Sequence, residues 1–181
     1  MKLELNGDFD VSASAAETYA FITAPSSFAP VLPYFKELKD VEERSFVVVL
    51  EVGVPQIRGV VEVSTELIEE QPTHHVVYKA RARHPLGMMD STATFDIAGT
   101  QSGSVVKWQT ESVVSGTLAS LANGILLPLA RRQIKSLVAS VQASLNGAAE
   151  RAPEKTASAL RRGAGSLRGL FGSVKGGADQ P

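Results

Sequence analysis

The chain of 181 residues is 44% hydrophobic and 20% charged, the make-up of one globular domain, which excludes a disordered or fibrous protein. It has no cysteine, which excludes disulfides, thiolate metal sites and a thiol nucleophile together and suits a reducing compartment. The net charge of −1 conceals an asymmetry: residues 1–150 carry 12 Lys and Arg against 17 Asp and Glu, net −5, and residues 151–181 carry six against two, net +4, so the body is unsuited to nucleic acid and the tail suits an anionic partner.

The segment Met1 to Asp8 has no apolar run of signal-peptide length, and no stretch approaches the roughly 18 apolar residues of a membrane span. The expected location is therefore cytoplasmic. Residues 2–12 read as a first strand that ends at a helix start. Ser14-x-x-Glu17 has capping-box spacing, in which the hydroxyl serves one backbone N–H and the carboxylate another. A short helix over 15–22 should stop before Pro25, because a residue preceding proline avoids the helical region. A second short helix or turn is expected between Ser26 and Pro33.

From Phe35 to Ser115 the hydrophobic period is two. Phe46, Val48, Leu50 and Val52 alternate with Val47, Val49 and Glu51; Val61, Val63, Thr65 and Leu67 alternate with Glu62, Ser64 and Glu66. Tyr78, Ala80 and Ala82 oppose Lys79, Arg81 and Arg83. Met89, Ser91, Ala93, Phe95 and Ile97 oppose Asp90, Thr92, Thr94 and Asp96, and Val106, Trp108, Thr110, Ser112 and Val114 oppose Lys107, Gln109 and Glu111. Such alternation marks an antiparallel sheet, wet on one face and packed on the other. Gln71-Pro72-Thr73, His84-Pro85-Leu86-Gly87 and Gly99-Thr100-Gln101-Ser102-Gly103 supply the turns.

Beyond Gly116 the period becomes helical. Leu118, Leu121, Ile125 and Leu129 form a stripe that continues through Ile134, Val138, Val141 and Leu145. Pro128 should kink this helix, and Asn146-Gly147 should end it. The fold class is α+β: a curved antiparallel sheet of six to seven strands wrapped on a long C-terminal helix, with two short helices after the first strand. Residues 1–148 form the domain; residues 149–181 form a flexible, basic, amphipathic tail.

Catalytic chemistry is hard to assemble from these residues. His74 and His75 are adjacent in an expected strand, so their side chains leave opposite faces and cannot chelate one metal. Neither a Gly-x-Ser-x-Gly elbow nor a phosphate-binding Gly-x-x-x-x-Gly-Lys-Ser/Thr loop occurs. Asp90 and Asp96 fall on the wet face by parity. The expectation is no catalytic residue and no metal. The inward apolar residues are the remaining candidates: Tyr78, Met89, Phe95, Trp108, Leu121, Ile125 and Leu129 should converge between sheet and helix, with Thr110 a polar handle among them. They make either a packed core or a pocket for an apolar small molecule, and spacing leaves both open.

A resemblance narrows this. Phe9-Asp10-Val11, Leu32-Pro33, Val52-Gly53, Ile57-Arg58-Gly59-Val60-Val61-Glu62-Val63, Gly87, Ala93, Trp108 and Val114-Ser115-Gly116-Thr117-Leu118-Ala119-Ser120-Leu121-Ala122 are spread over about residues 1–146. Together they resemble the carbon monoxide dehydrogenase G-subunit family, within the START-like helix-grip (polyketide cyclase and lipid transport) superfamily. After the Leu-Pro pair, members often have glycine where this chain has Tyr34; Val54-Pro55-Gln56 also departs from the usual Gly-Pro loop. The resemblance implies a non-catalytic accessory protein with a hydrophobic cavity. Such a protein carries menaquinone or ubiquinone as ligand, has no intrinsic cofactor, and recruits or serves a carbon monoxide dehydrogenase-type molybdenum hydroxylase at the membrane. Two alternatives stay open: a cyclase or hydratase on the same scaffold, and a ligand-free adaptor.

The tail suggests how the membrane is reached. Ala157, Leu160, Ala164, Leu167, Phe171 and Val174 fall on one helical stripe, flanked by Arg161, Arg162, Arg168 and Lys175. Gly163, Gly165, Gly169 and Gly172 cost about 1 kcal/mol each relative to alanine, enough to keep the segment unfolded in water. An anionic leaflet returns about 1 kcal/mol per cation. The expectation is disorder in solution, helix on the membrane, and a peripheral position on the inner face of the cell membrane.

Overall fold

The computed structural model describes residues 1–54 and 57–163. The first strand, β1 (Lys2–Val11), leads into α1 (Ala15–Thr23), α2 (Pro25–Phe28) and a short 3-10 turn (Ala29–Val31). Six strands follow without an intervening helix: β2 (Phe35–Lys39), β3 (Ser45–Val54), β4 (Ile57–Gln71), β5 (His75–His84), β6 (Gly87–Thr100) and β7 (Gly103–Val114). The chain closes with α3 (Thr117–Leu121), a π-helical turn (Ala122–Leu126) and α4 (Leu127–Gly163).

The capping box that starts α1 is present. Glu17 N–H donates to Ser14 Oγ at 3.3 Å, and Ser14 N–H donates to Glu17 Oε2 at 2.9 Å. Such a cap is worth about 1 kcal/mol. The Ser14 hydrogen bonds hold the Glu17 carboxyl below the usual range, so the cap is present at neutral pH in its charged form.

All seven strands form one antiparallel sheet in the order β1-β7-β6-β5-β4-β3-β2, so β1 closes on the last strand of the meander. Register fixes what meets on the inner face. Gly7 lies opposite Trp108, Trp108 opposite Phe95, and Phe95 opposite Val76; in the next row Phe9, Val106 and Ile97 align. A bulge in β4 between Leu67 and Glu69 absorbs Ile68, which is left exposed. The outer face is largely polar and paired, as with Arg81 and Asp90, although outer-parity Val49 and Val77 are buried.

Two clusters make the core. The larger joins Phe9, Val11, Ile22, Phe28, Phe46, Val48, Leu67, Val76, Tyr78, Ile97 and Val106 to Val141 and Leu145 of α4. The smaller joins Leu3, Ile57, Val114 and Leu118, with Val52, Leu86, Ile125, Leu126 and Leu127 against them. Beside the smaller cluster, Gly87 and Gly116 bring two turns into contact: a Cβ on Gly116 would sit 2.8 Å from Gly87 Cα, and both glycines have positive φ. This explains the strand exit through Ser115-Gly116, which docks on the β5–β6 hairpin where Leu118 N–H donates to Leu86 O at 3.0 Å.

The helical residues run without a break from Thr117 to Gly163, and the irregularity is the π-helical turn just before Pro128, where the proline's missing N–H interrupts the ladder. Two expectations need correction. Asn146-Gly147 does not stop the helix, which continues to Gly163; Asn146 instead accepts the Ser12 N–H at 2.9 Å and ties α4 to the end of β1. His74 precedes β5 in a turn, after Thr73 at φ 68°, rather than sharing a strand with His75. Among the described residues no helix is long and apolar enough to cross a membrane.

Candidate functional site

The space between sheet and helix is small. A cavity of about 50 Å³ is lined by Phe9, Ile22, Phe28, Phe95, Trp108, Thr110, Ile134, Leu137, Val138 and Val141. Its neighbour is a groove of about 700 Å³, open to solvent between edge strand β1 and α4, lined by Glu4, Leu5, Asn6, Asp8, Trp108, Arg131, Ile134, Lys135, Val138, Ala139 and Gln142. Trp108, Ile134 and Val138 belong to both walls. A single indole and two aliphatic side chains thus stand between a small apolar void and an open cleft.

Gly7 makes that arrangement possible. It lies opposite Trp108 in the ladder, and a Cβ there would stand 2.8 Å from the indole ring, so the ring rests across the bare β1 backbone at the sheet edge. Trp108 Nε1 has no hydrogen-bond partner among the described residues, and no buried side-chain nitrogen or oxygen there lacks one, so the indole N–H reaches solvent. Thr110 Oγ1 makes only a long contact, 3.5 Å, to Leu5 O. At the groove rim Gln142 Nε2 donates to Asp10 O at 2.8 Å, and neither Arg131 nor Lys135 is in an ion pair among the described residues.

The eight residues expected to form a pocket divide. Phe95, Trp108 and Thr110 line the cavity together. Tyr78 belongs to the packed core beneath it, stacked on Phe28 at 6.5 Å, with its hydroxyl donating to Ile22 O at 3.1 Å; burial pushes its pKa up to about 12. Met89 has inward parity but pairs with Val114 at the hairpin end, away from the cavity, and is exposed. Ile125 packs in the smaller cluster near Leu3 and Ile57, and Leu121 and Leu129 are partly buried away from the cavity. The physical reason is position along the helix: at about 1.5 Å per residue, residues 121–129 lie beside the hairpin-end cluster of Leu3, Val114 and Leu118, and Ile134, Leu137, Val138 and Val141 lie over Trp108. Phe9, Ile22 and Phe28 join the lining without having been expected there. Phe9 has a signal in the alternation of Leu3, Leu5, Phe9 and Val11, but residues on the short helices have none.

The titratable groups stand apart from this void. Asp96 Oδ1 lies 2.6 Å from His75 Nδ1, and Asp90 lines a polar concavity of about 750 Å³ on the outer face, paired with Arg81. A third group ties α1 to β4: Tyr19 Oη donates to Glu70 Oε2 at 2.6 Å and Arg44 Nη1 donates to Glu70 Oε1 at 2.8 Å. Burial, then the carboxylate, raises the Tyr19 pKa to about 12, and the same hydroxyl lowers that of Glu70. No three His, Asp or Glu side chains gather as a metal site among the described residues. Of the expected membrane contacts, Leu160, Arg161 and Arg162 fall on the last turn of α4, and Leu167, Arg168, Phe171 and Lys175 lie outside the described residues.

Comparison with known proteins places the fold and the family. A conserved protein of Geobacillus kaustophilus matches with a TM-score of 0.71 at 17% identity, over 79% of this chain and 95% of that one. A Chromobacterium violaceum protein matches at 0.63, with 14% identity over 79% and 97%. The di-domain ARO/CYC StfQ of the steffimycin biosynthetic pathway matches at 0.60, with 12% identity over 83% of this chain and 52% of that chain. At such identities these matches establish a shared helix-grip fold, common to polyketide cyclases, and nothing about activity. No curated protein is similar enough to count as a match. The family model for the carbon monoxide dehydrogenase G subunit (CoxG) matches residues 7–146, from the glycine under the indole to the asparagine that ties α4 to β1, and the chain belongs to that family.

Proposed function

We propose that this protein is a non-catalytic accessory that holds an apolar, ring-bearing ligand, a menaquinone or ubiquinone, against Trp108 in the groove between β1 and α4. In this reading it serves a carbon monoxide dehydrogenase-type molybdenum hydroxylase on the inner face of the cell membrane. The observation that carries the reading is the shared wall. The cavity, about 50 Å³, is far below the roughly 300–1,000 Å³ of ordinary small-molecule sites, so a ligand cannot be enclosed there as the chain stands. Rotation of Trp108 away from Phe95 would merge it with the groove of about 700 Å³. The merged site would have an apolar floor of Phe95, Ile134 and Val138, with Arg131 and Lys135 at the rim to donate to a ring carbonyl. Family membership supports the partner class.

Trp108 is the only tryptophan, so its fluorescence reports on this site alone. Titration with a short-chain menaquinone or ubiquinone should quench it saturably, and native mass spectrometry should retain one ligand per chain. Val138→Phe, which narrows both spaces, should weaken binding at least tenfold with the fold intact. A chain that carries no quinone from its host and shows no saturable quenching with either would end the reading.

The tightness of the interior favours a second reading, a ligand-free adaptor for the hydroxylase. Binding of the partner enzyme by Val138→Phe, undiminished and without any quinone, would support it. The cavity wall presents no titratable side chain, so a cyclase or hydratase reading would have to draw its acid or base from Glu4, Asp8 or Lys135 in the adjoining groove.

A further inference from the structure

One end of the molecule differs from the rest in charge and in exposed apolar area. The start of β1, the β3–β4 and β5–β6 hairpins, the end of β7, α3 and the beginning of α4 all meet there. Seven large apolar side chains are exposed among the described residues, and five of them, Met1, Val60, Met88, Met89 and Val113, are at this end, each between 36% and 54% exposed. A soluble surface scatters such residues singly; their concentration marks a contact site.

The charge pattern identifies the contact. Residues 52–60, 84–89 and 112–149 contain no Asp or Glu, although the body as a whole is acidic. The same segments supply Arg58, Arg131, Arg132 and Lys135, all exposed, and the N-terminal ammonium of Met1 lies alongside, donating to Val114 O at 2.6 Å. The nearest carboxylates are already engaged: Glu4 and Glu111 by Lys2, Glu51, opposite Val60, by Lys36, and Asp90 by Arg81. The apolar side chains stand on hairpins and strand ends and so protrude, which suits a yielding planar surface better than a groove. Apolar side chains with flanking cations are the composition of a segment that rests at a bilayer interface.

We infer that this hairpin end rests on an anionic lipid surface, with Met88, Met89, Val60 and Val113 entering the headgroup region and Arg58, Arg131 and Arg132 beside the phosphates. The inference rests on the reading that the protein works at a membrane, but not on which ligand it holds or whether it holds one. It also differs from the tail as a membrane contact, because the folded body itself would be oriented on the surface. The groove between β1 and α4 begins at this end, so a ligand leaving the bilayer would have a short path to Trp108.

The absence of cysteine makes the test direct. Met88→Cys and Val60→Cys, each in the full chain and carrying a polarity-sensitive dye, should show blue-shifted emission on phosphatidylglycerol vesicles and little on phosphatidylcholine vesicles. The same dye on Glu43→Cys, at the opposite end, should stay unchanged. The double variant Arg131→Gln/Arg132→Gln should lower affinity about 25-fold, taking about fivefold for each cation, and Met88→Glu should lower it at least tenfold while leaving the thermal unfolding curve in place. If the full chain binds these vesicles while dyes at 60 and 88 report only water, the inference falls and the tail carries the contact alone. If the unlabelled full chain does not bind them, the membrane reading falls with it. A shift of the position 88 dye on adding the hydroxylase, without any shift on vesicles, would overturn the lipid assignment in favour of a protein interface.

Discussion

The two ends of this sheet are built differently. At the end covered by α1, α2 and residues 137–145 of α4, large aromatic and branched side chains interlock: Phe28 meets Tyr78 and Phe95, and Ile22, Val76 and Val106 are almost completely removed from water. Even the polar groups are paired there, with the hydroxyls of Thr18 and Ser104 2.9 Å apart and Ser104 donating to Ala13 O. At the hairpin end the buried cluster has four members among the described residues, the helix passes through a π turn, and methionine and valine face solvent. One end holds the fold while the other is free to meet something else. Burial of apolar area, the main driving force of folding, is concentrated away from the hairpin end.

Substitutions can break or sharpen that contrast. Ile22→Ala, deep in the interlocked end, should cost about 3–4 kcal/mol in equilibrium denaturation, since nothing nearby can collapse into the void. Leu118→Ala in the smaller cluster should cost about 2 kcal/mol and raise hydrogen exchange in residues 117–127 before residues 134–145. Equal costs, or uniform exchange, would mean that the two ends form one cooperative block. Glu70→Gln, which cuts the Tyr19–Glu70–Arg44 tie, should cost about 1 kcal/mol at neutral pH. Because Glu70 is held below its ordinary value of 4.5, its contribution is full above that pH and is lost as pH falls through the lowered value. The gap between wild type and Glu70→Gln should therefore close in acid, and a gap that persists would assign the tie to packing. Met88→Gln should change stability by less than about 0.5 kcal/mol, because its side chain is already in water.

Much of the architecture is legible in the residues. Period-two alternation locates the long strands of the meander, and Ser14-x-x-Glu17 marks the start of α1 to the residue. The site is harder. The stripe from Leu118 to Leu145 is apolar throughout, so periodicity cannot say which half lies over Trp108; that is decided by where along the sheet the helix starts, which leaves no mark in hydropathy. Met89 has the right parity but stands at the hairpin end, a matter of position along the strand rather than pattern. Tyr78 points inward as its parity requires, yet whether an inward residue lines a space or fills it depends on Phe28, which approaches from a helix too short to show a period. The void is defined by what is missing between side chains, and a linear pattern records only what is present.

Tyr34 sits at φ 63°, a left-handed backbone conformation that costs a non-glycine residue about 1–2 kcal/mol. Its hydroxyl accepts a hydrogen bond from Gln133 of α4 at 3.0 Å. A glycine would relax the turn and at once unhook α4 from the β2 side of the sheet, opposite the groove. The chain thus spends conformational comfort on a latch, and how firmly α4 is held on that side is set in part by one phenol in a posture it does not prefer.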